Sequence, residues 1–315
     1  MKTIIYLCYG NGQYVLETIF SLLSAFRFGS LEDSGHQYVI YTDDPGSFVG
    51  LGVELVNLDA VTLSAWMGKE GYVHRRKIMT IIDALRRFPG SVVFVDCDTY
   101  FQKPPGKLFD QVAPGRSRLH ILEARLLESG TRINRAISDV VGRNSFQDLS
   151  GRAFRISPDA RMWNDGVLGL HSSDAYLMEE ALNLSDQIWP KLKDAPLHVP
   201  SVNQFVSSYF LERNLISESH DIVYHYWPAN LRVPFRQRLP ELLAAGMGSP
   251  LEERARKAFA ERPRANTLWK IRMGVRTGLR RLGVRVPGVR TNDGVRPPRR
   301  RGGKGWDVIG GSLLS

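Results

Sequence analysis

The sequence predicts an α/β fold with a mixed, mainly parallel sheet, and three observations support this prediction. An apolar run at residues 3–9 leads through a glycine turn into helical periodicity. A second helical pattern, at residues 72–88, leads through Pro89-Gly90 into another strand-like run, 91–101. Within that run the four apolar residues 92–95 are typical of a strand buried on both faces. With 315 residues, 43% of them hydrophobic, the chain is long enough for one large domain with an appendage.

The first predicted strand ends at Tyr9 and the turn Gly10-Asn11-Gly12, at the sheet edge where α/β folds receive ligands. The chain does not continue into the phosphate fingerprint G-x-G-x-x-G, which disfavours dinucleotide binding. Two interpretations stay open: an ordinary turn, or contact of Tyr9 and Asn11 with a nucleotide base or ribose. Apolar residues at helical spacing predict the helix that follows: Val15, Leu16, Ile19, Leu22, Leu23 and Phe26.

A second strand is predicted at residues 37–41 and a third at 53–58. Asp43 follows the second strand, close to a Pro45-Gly46 turn, at the same sheet edge as the first turn. We therefore expect Asp43, or its neighbour Asp44, either to hydrogen-bond a ribose or base or to form an ordinary Asx-turn.

The helix predicted over 72–88 carries three consecutive cations, Arg75, Arg76 and Lys77, in its first turns. Cations there oppose the helix dipole unless an anion lies nearby. Arg75 and Lys77 are thus candidates to contact a diphosphate, and the alternative is a solvated basic edge.

Asp96 and Asp98 follow the buried strand, separated by Cys97. Side chains alternate along an extended backbone, so the two carboxylates are expected to point the same way and hold one cation. Carboxylate oxygens suit Mg²⁺ or Mn²⁺. The alternative is a solvated strand end.

Between residues 118 and 227, several polar residues stand next to predicted strands and helices. A strand is predicted near 118–124 and a helix over 127–142. The triplet Asn164-Asp165-Gly166 precedes a short apolar strand, and a helix over 200–214 carries Asn203 and Gln204 in its first turn. His225 lies among aromatics in the last predicted strand, 222–227, as either a packing residue or a metal ligand.

The basic charge belongs to the last part of the chain. Residues 251–315 contain 17 Lys+Arg and 5 Asp+Glu, which leaves 25 basic and 27 acidic residues in 1–250. Residues 266–282 have the pattern of a basic amphipathic helix, which would either lie on an anionic membrane surface or pack on the body of the protein, residues 1–250. Residues 283–315 are predicted to be a disordered tail. A near-neutral body without a stacking-aromatic pattern argues against specific nucleic-acid binding.

The order of Lys77, Asp96 and Asp98, the Asn-Asp-Gly triplet and His225 resembles the metal-dependent GT-A glycosyltransferases, over roughly residues 1–230. The chain is most similar to the group related to bacterial lipooligosaccharide sugar transferases and glycogenins. The resemblance implies a GT-A type, single Rossmann-like catalytic domain at 1–250 followed by the tail at 251–315.

The resemblance also implies a nucleotide-sugar donor, usually UDP-linked, whose diphosphate is bridged by Mn²⁺ or Mg²⁺. By that resemblance Asp96, Asp98 and His225 hold the ion, and Asn164 and Gly166 line the donor sugar. The acceptor would be a glycan or lipid-linked saccharide of a cell surface. The absence of a leader-like segment in residues 1–28 led us to expect a cytoplasmic chain, peripheral at the inner face of a membrane.

The chain departs from the family pattern at three places. Asn203-Gln204 stands where an Asp-Gln pair is common, residues 228–232 replace a Lys-Pro-Trp stretch, and Asp165 adds a carboxylate. Asp165 is the candidate base for an inverting reaction, and Gln204 would shield the reacting face in a retaining one. The resemblance favours retention slightly.

Three other functions compete with sugar transfer. A nucleotidyltransferase would share the general fold, although the turn at 10–12 is short for its basic glycine-rich loop. A phosphatase with an Asp nucleophile would want Thr or Val where Tyr100 stands. A non-enzymatic protein could bind membrane or nucleic acid through the tail.

Overall fold

The computed structural model describes residues 1–29, 35–128, 131–157, 160–192, 202–244 and 248–264. The strands are β1 (Lys2–Cys8), β2 (Gln37–Thr42), β3 (Glu54–Asn57), β4 (Ser91–Val95), β5 (Thr99–Phe101), β6 (Arg116–Arg125), β7 (Phe146–Gln147), β8 (Ala153–Phe154), β9 (Arg161–His171), β10 (Leu215–Glu218) and β11 (Val223–His225). The helices are α1 (Gly12–Phe26), α2 (Ala60–Trp66), α3 (Arg75–Arg87), α4 (Arg132–Arg143), α5 (Tyr176–Ile188), α6 (Val202–Leu211), α7 (Ala229–Ala244) and α8 (Leu251–Ala260).

Seven strands form the central sheet in the order β10-β6-β9-β4-β1-β2-β3. Four neighbouring pairs are parallel, and β9 runs antiparallel to both β4 and β6. The predicted α/β class with a mixed, mainly parallel sheet is therefore confirmed. Buried apolar side chains form two clusters, one on each side of β1 and β4, since successive residues of a strand face opposite ways.

The helix-to-strand unit at the centre forms as its sequence predicts. The apolar stripe of α3 is buried, with Ile78, Ile81 and Ile82 each no more than 2% exposed. Gly90 then turns the chain into β4 at a φ of 113°, where a Cβ would lie only 2.3 Å from the carbonyl oxygen of Met1. This tight turn aligns β4 beside β1 and carries the chain towards Asp96.

Two local predictions need correction. The run 91–101 is two strands, because the backbone bends at residues 96–98 and β5 then pairs with β11 in a separate small sheet. The Asn-Asp-Gly triplet lies inside β9, which begins at Arg161. Both differences arise from long-range pairing, which local apolar patterning does not encode.

The described start of the predicted tail packs against the body. Ala255 and Ala258 of α8 are buried beside α1, and the Tyr100 hydroxyl donates to the Pro263 carbonyl at 3.0 Å. The basic helix predicted at 266–282 and the tail after it lie outside the described residues. No helix within the described ranges is long and apolar enough to cross a membrane.

Candidate metal centre

The candidate site lies at the carboxyl end of β4, where three elements converge. The Asp96 N–H donates to the Gly166 carbonyl of β9 at 2.9 Å, and the Tyr226 N–H donates to the Asp98 carbonyl at 3.0 Å. β11 pairs with β5 so that His225 lies opposite Thr99. Backbone pairing therefore places His225 beside both aspartates, although they lie far apart in the sequence.

Asp96, Asp98 and His225 form a group able to hold a metal ion, with one ligand atom from each lying within 4.8 Å of the others. His225 Nε2 lies 3.2 Å from Asp98 Oδ1 and 3.9 Å from Asp96 Oδ2. Asp98 is 4% exposed and His225 is 6% exposed, so these are not solvated surface charges. The structure brings together the three ligands that the sequence resemblance implied.

Asn164 determines which nitrogen of His225 faces the aspartates. Its Oδ1 lies 3.0 Å from the Gly166 N–H and 2.9 Å from His225 Nδ1. A backbone N–H only donates, so this side-chain atom is the amide oxygen and His225 Nδ1 must donate to it as well. In the neutral imidazole the lone pair is then on Nε2, which faces Asp96 and Asp98.

This arrangement fits a divalent cation. A neutral Nε2 and a carboxylate are both acceptors, so they lie stably at this distance only with a proton or a metal ion between them. Asp98 Oδ2 lies 2.8 Å from Arg232 Nη1 as an ion pair, but no described donor is aligned to hydrogen-bond it. Two carboxylates with one imidazole form a set of ligands that can hold a divalent metal ion.

Burial and neighbouring charges act in opposite directions on the pKa values of His225 and Asp98. Burial alone lowers the pKa of His225, but the charges of Asp98 and then Asp96 outweigh it and raise the pKa above its usual value. Although burial alone would raise the pKa of Asp98, the charge of His225 and then Arg232 holds it well below its usual range. Asp98 is therefore ionised over the whole physiological range, as a metal ligand must be.

Lys77 is held by carboxylates within the protein. Its Nζ lies 3.0 Å from Asp96 Oδ1, 3.0 Å from Asp165 Oδ1 and 2.8 Å from the Asp165 carbonyl oxygen. Burial lowers the pKa of Lys77, but the charges of Asp165 and Asp96 more than compensate and raise it. Asp165 Oδ2 accepts a second bond, 2.8 Å from Asn203 Nδ2. Both oxygens of Asp165 thus have partners.

The three cations at the start of α3 face different neighbours. Arg75 pairs with Asp186 of α5 at 2.8 Å and donates to the Trp66 carbonyl, and its contact with a diphosphate stays a prediction. Arg76, which we did not single out, stacks on the Tyr9 ring at 4.7 Å. The physical reason is the helical rotation of about 100° per residue, which turns neighbouring side chains in different directions.

The predicted nucleotide-side residues lie together at the ends of β1 and β2. Both carboxylate oxygens of Asp43 accept from the Gly10 N–H, at 3.1 and 3.0 Å. Asn11 caps α1 by accepting from the Gln13 N–H at 2.9 Å. These contacts shape the turn at 10–12, and contact of Tyr9, Asn11 and Asp43 with a nucleotide stays a prediction.

Two acidic residues at the site were missed by sequence reasoning. Glu123 of β6 accepts from Asn164 Nδ2 at 2.8 Å and from Gln204 Nε2 at 2.9 Å. Glu17 of α1 is fully buried and bound by the guanidinium groups of both Arg232 and Arg236 at 2.7 Å. Neither residue offered a signal, because Glu17 lies opposite the predicted apolar stripe of its helix and Glu123 is one polar residue in a predicted strand.

The connected side chains around the trio carry a formal charge that suits a cation. They comprise five carboxylates and three cations, a net charge of −2 when histidines are neutral: Glu17, Asp96, Asp98, Glu123, Asp165, Lys77, Arg232 and Arg236. His120 packs its ring against His225, with centroids 5.6 Å apart, and burial lowers its pKa to about 3. His120 therefore adds no charge at neutral pH.

Comparisons with known proteins give a fold likeness only. No protein-family model matches the sequence, and no curated protein matches it. Among solved structures, the fold is similar to the galactosyltransferase LgtC in complex with donor and acceptor sugar analogs, with a TM-score of 0.45 and 10% identity over 69% of this chain and 74% of that chain.

An active-site mutant of LgtC is similar at a TM-score of 0.45 and 9% identity, over 69% of this chain and 73% of that chain. A likeness at these values shows neither activity nor substrate, so we base the functional proposal on the geometry of the site.

Proposed function

We propose that this protein is a metal-dependent glycosyltransferase that moves a sugar from a nucleotide-diphosphate donor, a UDP-sugar, to a glycan or lipid-linked acceptor. The observation that carries the proposal is the group of Asp96, Asp98 and His225, in which Asn164 turns Nε2 of the histidine towards both carboxylates. The group lies at the carboxyl end of a central strand, where α/β folds bind ligands.

Asp96, Asp98 and His225 would hold Mn²⁺ or Mg²⁺. Such an ion, when bound, supplies positive charge to the diphosphate that leaves as the glycosidic bond to the donor breaks. The Arg232 guanidinium lies 2.8 Å from Asp98 Oδ2. Together with Arg236, which shares its partner Glu17, it would stabilise the same developing charge. Lys77 would act mainly by fixing Asp96, because its ammonium group is already bound by carboxylates.

Asp165 and Gln204 take different roles in this proposal. Lys77 and Asn203 engage both oxygens of Asp165, so we assign it to positioning rather than to proton abstraction. Gln204 donates its Nε2 to Glu123, and its carbonyl oxygen would shield the reacting face of the donor sugar. This division favours a retaining reaction, with Asn164 and Gly166 beside the donor sugar.

Turnover of a panel of nucleotide sugars tests the proposal. Hydrolysis or transfer should require Mn²⁺ or Mg²⁺, stop in EDTA and fall at least 100-fold in Asp98→Asn, because a metal ligand is lost. Glu179→Gln, which removes a carboxylate from the surface pair with Arg86, should keep full activity. Full turnover in EDTA would refute the metal role. Consumption of the nucleotide sugar only when pyrophosphate is added, with release of a nucleoside triphosphate and a sugar 1-phosphate, would indicate a nucleotidyltransferase.

We also propose that the tail attaches the enzyme to an anionic membrane surface, where a lipid-linked acceptor would lie. Residues 251–315 hold 17 basic and 5 acidic residues, and each basic residue near such a surface contributes about 1 kcal/mol. Because α8 packs on the body, the matched truncation should end after residue 264. The full chain should float with phosphatidylserine vesicles and the truncated chain should not, and equal flotation would remove the membrane claim.

A further inference from the structure

Glu123 lies at the centre of a hydrogen-bond chain that ends at the candidate metal ligand. It accepts from Gln204 Nε2 at 2.9 Å with one oxygen and from Asn164 Nδ2 at 2.8 Å with the other. Asn164 in turn accepts from His225 Nδ1 at 2.9 Å. The chain therefore joins α6, β6, β9 and β11 through four side chains.

A carboxylate is the side chain that this position requires. Both neighbours present an amide N–H, and an ionised carboxylate offers an acceptor to each, since it carries no donor. A glutamine at 123 would offer one oxygen and one NH₂ group, so its NH₂ would face one of the two amide donors. One neighbour would then have to rotate or lose its bond.

Rotation of the Asn164 amide would directly change the hydrogen bonding of His225, one of the three candidate metal ligands. Its NH₂ would then face the Gly166 N–H and His225 Nδ1, which now both donate to Oδ1. The imidazole could keep a bond to Asn164 only by moving its proton to Nε2. That proton would point at Asp96 and Asp98, where a cation needs the lone pair.

We propose that Glu123 is a positioning residue of the metal centre: through Asn164 it keeps the proton of His225 on Nδ1 and the lone pair of Nε2 directed at Asp96 and Asp98. The proposal rests on the metal role given under the proposed function. Removal of residues that support a metal ligand in this way typically weakens binding about 10–100-fold.

Mn²⁺ affinity of the full chain, measured by titration calorimetry without nucleotide, tests the proposal. Glu123→Gln should weaken Mn²⁺ binding about 10–100-fold. Glu123→Asp keeps the charge but is one methylene shorter, so it cannot reach both amides and should weaken binding as well. Glu212→Gln is the matched control, because Glu212 accepts from the Trp163 indole at 2.7 Å outside the chain of bonds, and it should bind Mn²⁺ as the wild type does.

A second measurement reports on the proton itself. In ¹⁵N-histidine spectra of the Mg²⁺-loaded protein, the wild type should show His225 protonated on Nδ1 only, and Glu123→Gln should shift signal towards Nε2–H. Wild-type Mn²⁺ affinity in either Glu123 variant, or an unchanged His225 tautomer in Glu123→Gln, would overturn the proposal. If Asp98→Asn also binds Mn²⁺ normally, the metal role itself fails, so the two failures are distinguishable.

Discussion

Gly166→Ala is the substitution whose consequence follows most directly from the geometry. A Cβ at this position would lie 2.1 Å from His225 Nδ1, 2.4 Å from its Cε1 and 2.9 Å from Asn164 Oδ1. Ordinary van der Waals contact begins at 3.4 Å, so the imidazole would have to retreat by about 1.3 Å. The backbone cannot yield instead, because the Gly166 carbonyl accepts from the Asp96 N–H between β9 and β4.

Metal–ligand distances vary by only about 0.2 Å around their usual values, so an imidazole moved this far could coordinate only after the site rearranges. We therefore expect Gly166→Ala to lose at least as much Mn²⁺ affinity as the roughly 10–100-fold that follows loss of a supporting group. Titration calorimetry of the full chain measures this, with circular dichroism to confirm folding. Wild-type affinity in a folded Gly166→Ala protein would refute the placement of His225.

Gly169→Ala is the control on the same strand. Its Cβ would lie 3.0 Å from Val112 Cγ2 and 3.1 Å from Val93 Cγ2, which are side-chain methyl groups in the core. This substitution should lower stability without changing Mn²⁺ affinity. Equal loss of affinity in both variants would point to general strain in β9 rather than displacement of His225.

Two further predictions concern the charges around the site. Glu17→Gln should lower the free energy of unfolding by about 3 kcal/mol, the low end for a broken buried pair, because the Arg232 and Arg236 side chains are 24% and 25% exposed. Urea denaturation measures this change. The control Glu179→Gln, which breaks a surface pair, should cost under about 1 kcal/mol. Because Asp98 and Asp96 raise the pKa of His225, its ion pair stabilises the metal-free fold below about pH 6.5, and this contribution is lost as pH rises through the raised pKa. Stabilisation by Mn²⁺ should grow over the same pH interval, because neutral His225 is the ligand. Thermal unfolding with and without Mn²⁺ at about pH 5.5–8.5 measures the ion-pair contribution and the Mn²⁺ effect. A pH-independent effect of Mn²⁺ would contradict the ligand role of His225.

The fold class could be predicted because it depends on local patterns. The apolar run 92–95 and the stripe of α3 specify a buried strand and a helix from their own spacing. The antiparallel entry of β9 and the pairing of β5 with β11 could not be predicted, because each depends on partners distant in the sequence.

The candidate site was predicted where residue types are unusual for their surroundings. Asp96, Asp98 and His225 stand out beside apolar strands, and the structure brings them together. Glu123 escaped notice because it is one polar residue in a strand that alternates, and its importance comes only from the two amides it meets.

Arg75 shows what sequence patterns leave open. Charge at a helix start suggests a nearby anion, but spacing alone did not show that this anion is Asp186 of α5. Sequence patterns therefore indicated which charged residues need partners, and the fold determined which partners they have.

The central claim is that Asp96, Asp98 and His225 hold the cation that bridges a nucleotide-sugar diphosphate. Crystals of the full chain grown with Mn²⁺ and a UDP-sugar, measured at the manganese absorption edge, test it most directly. The account predicts an anomalous peak within coordination distance of all three side chains and of the diphosphate. A bound nucleotide without such a peak, or manganese bound only elsewhere, would contradict it.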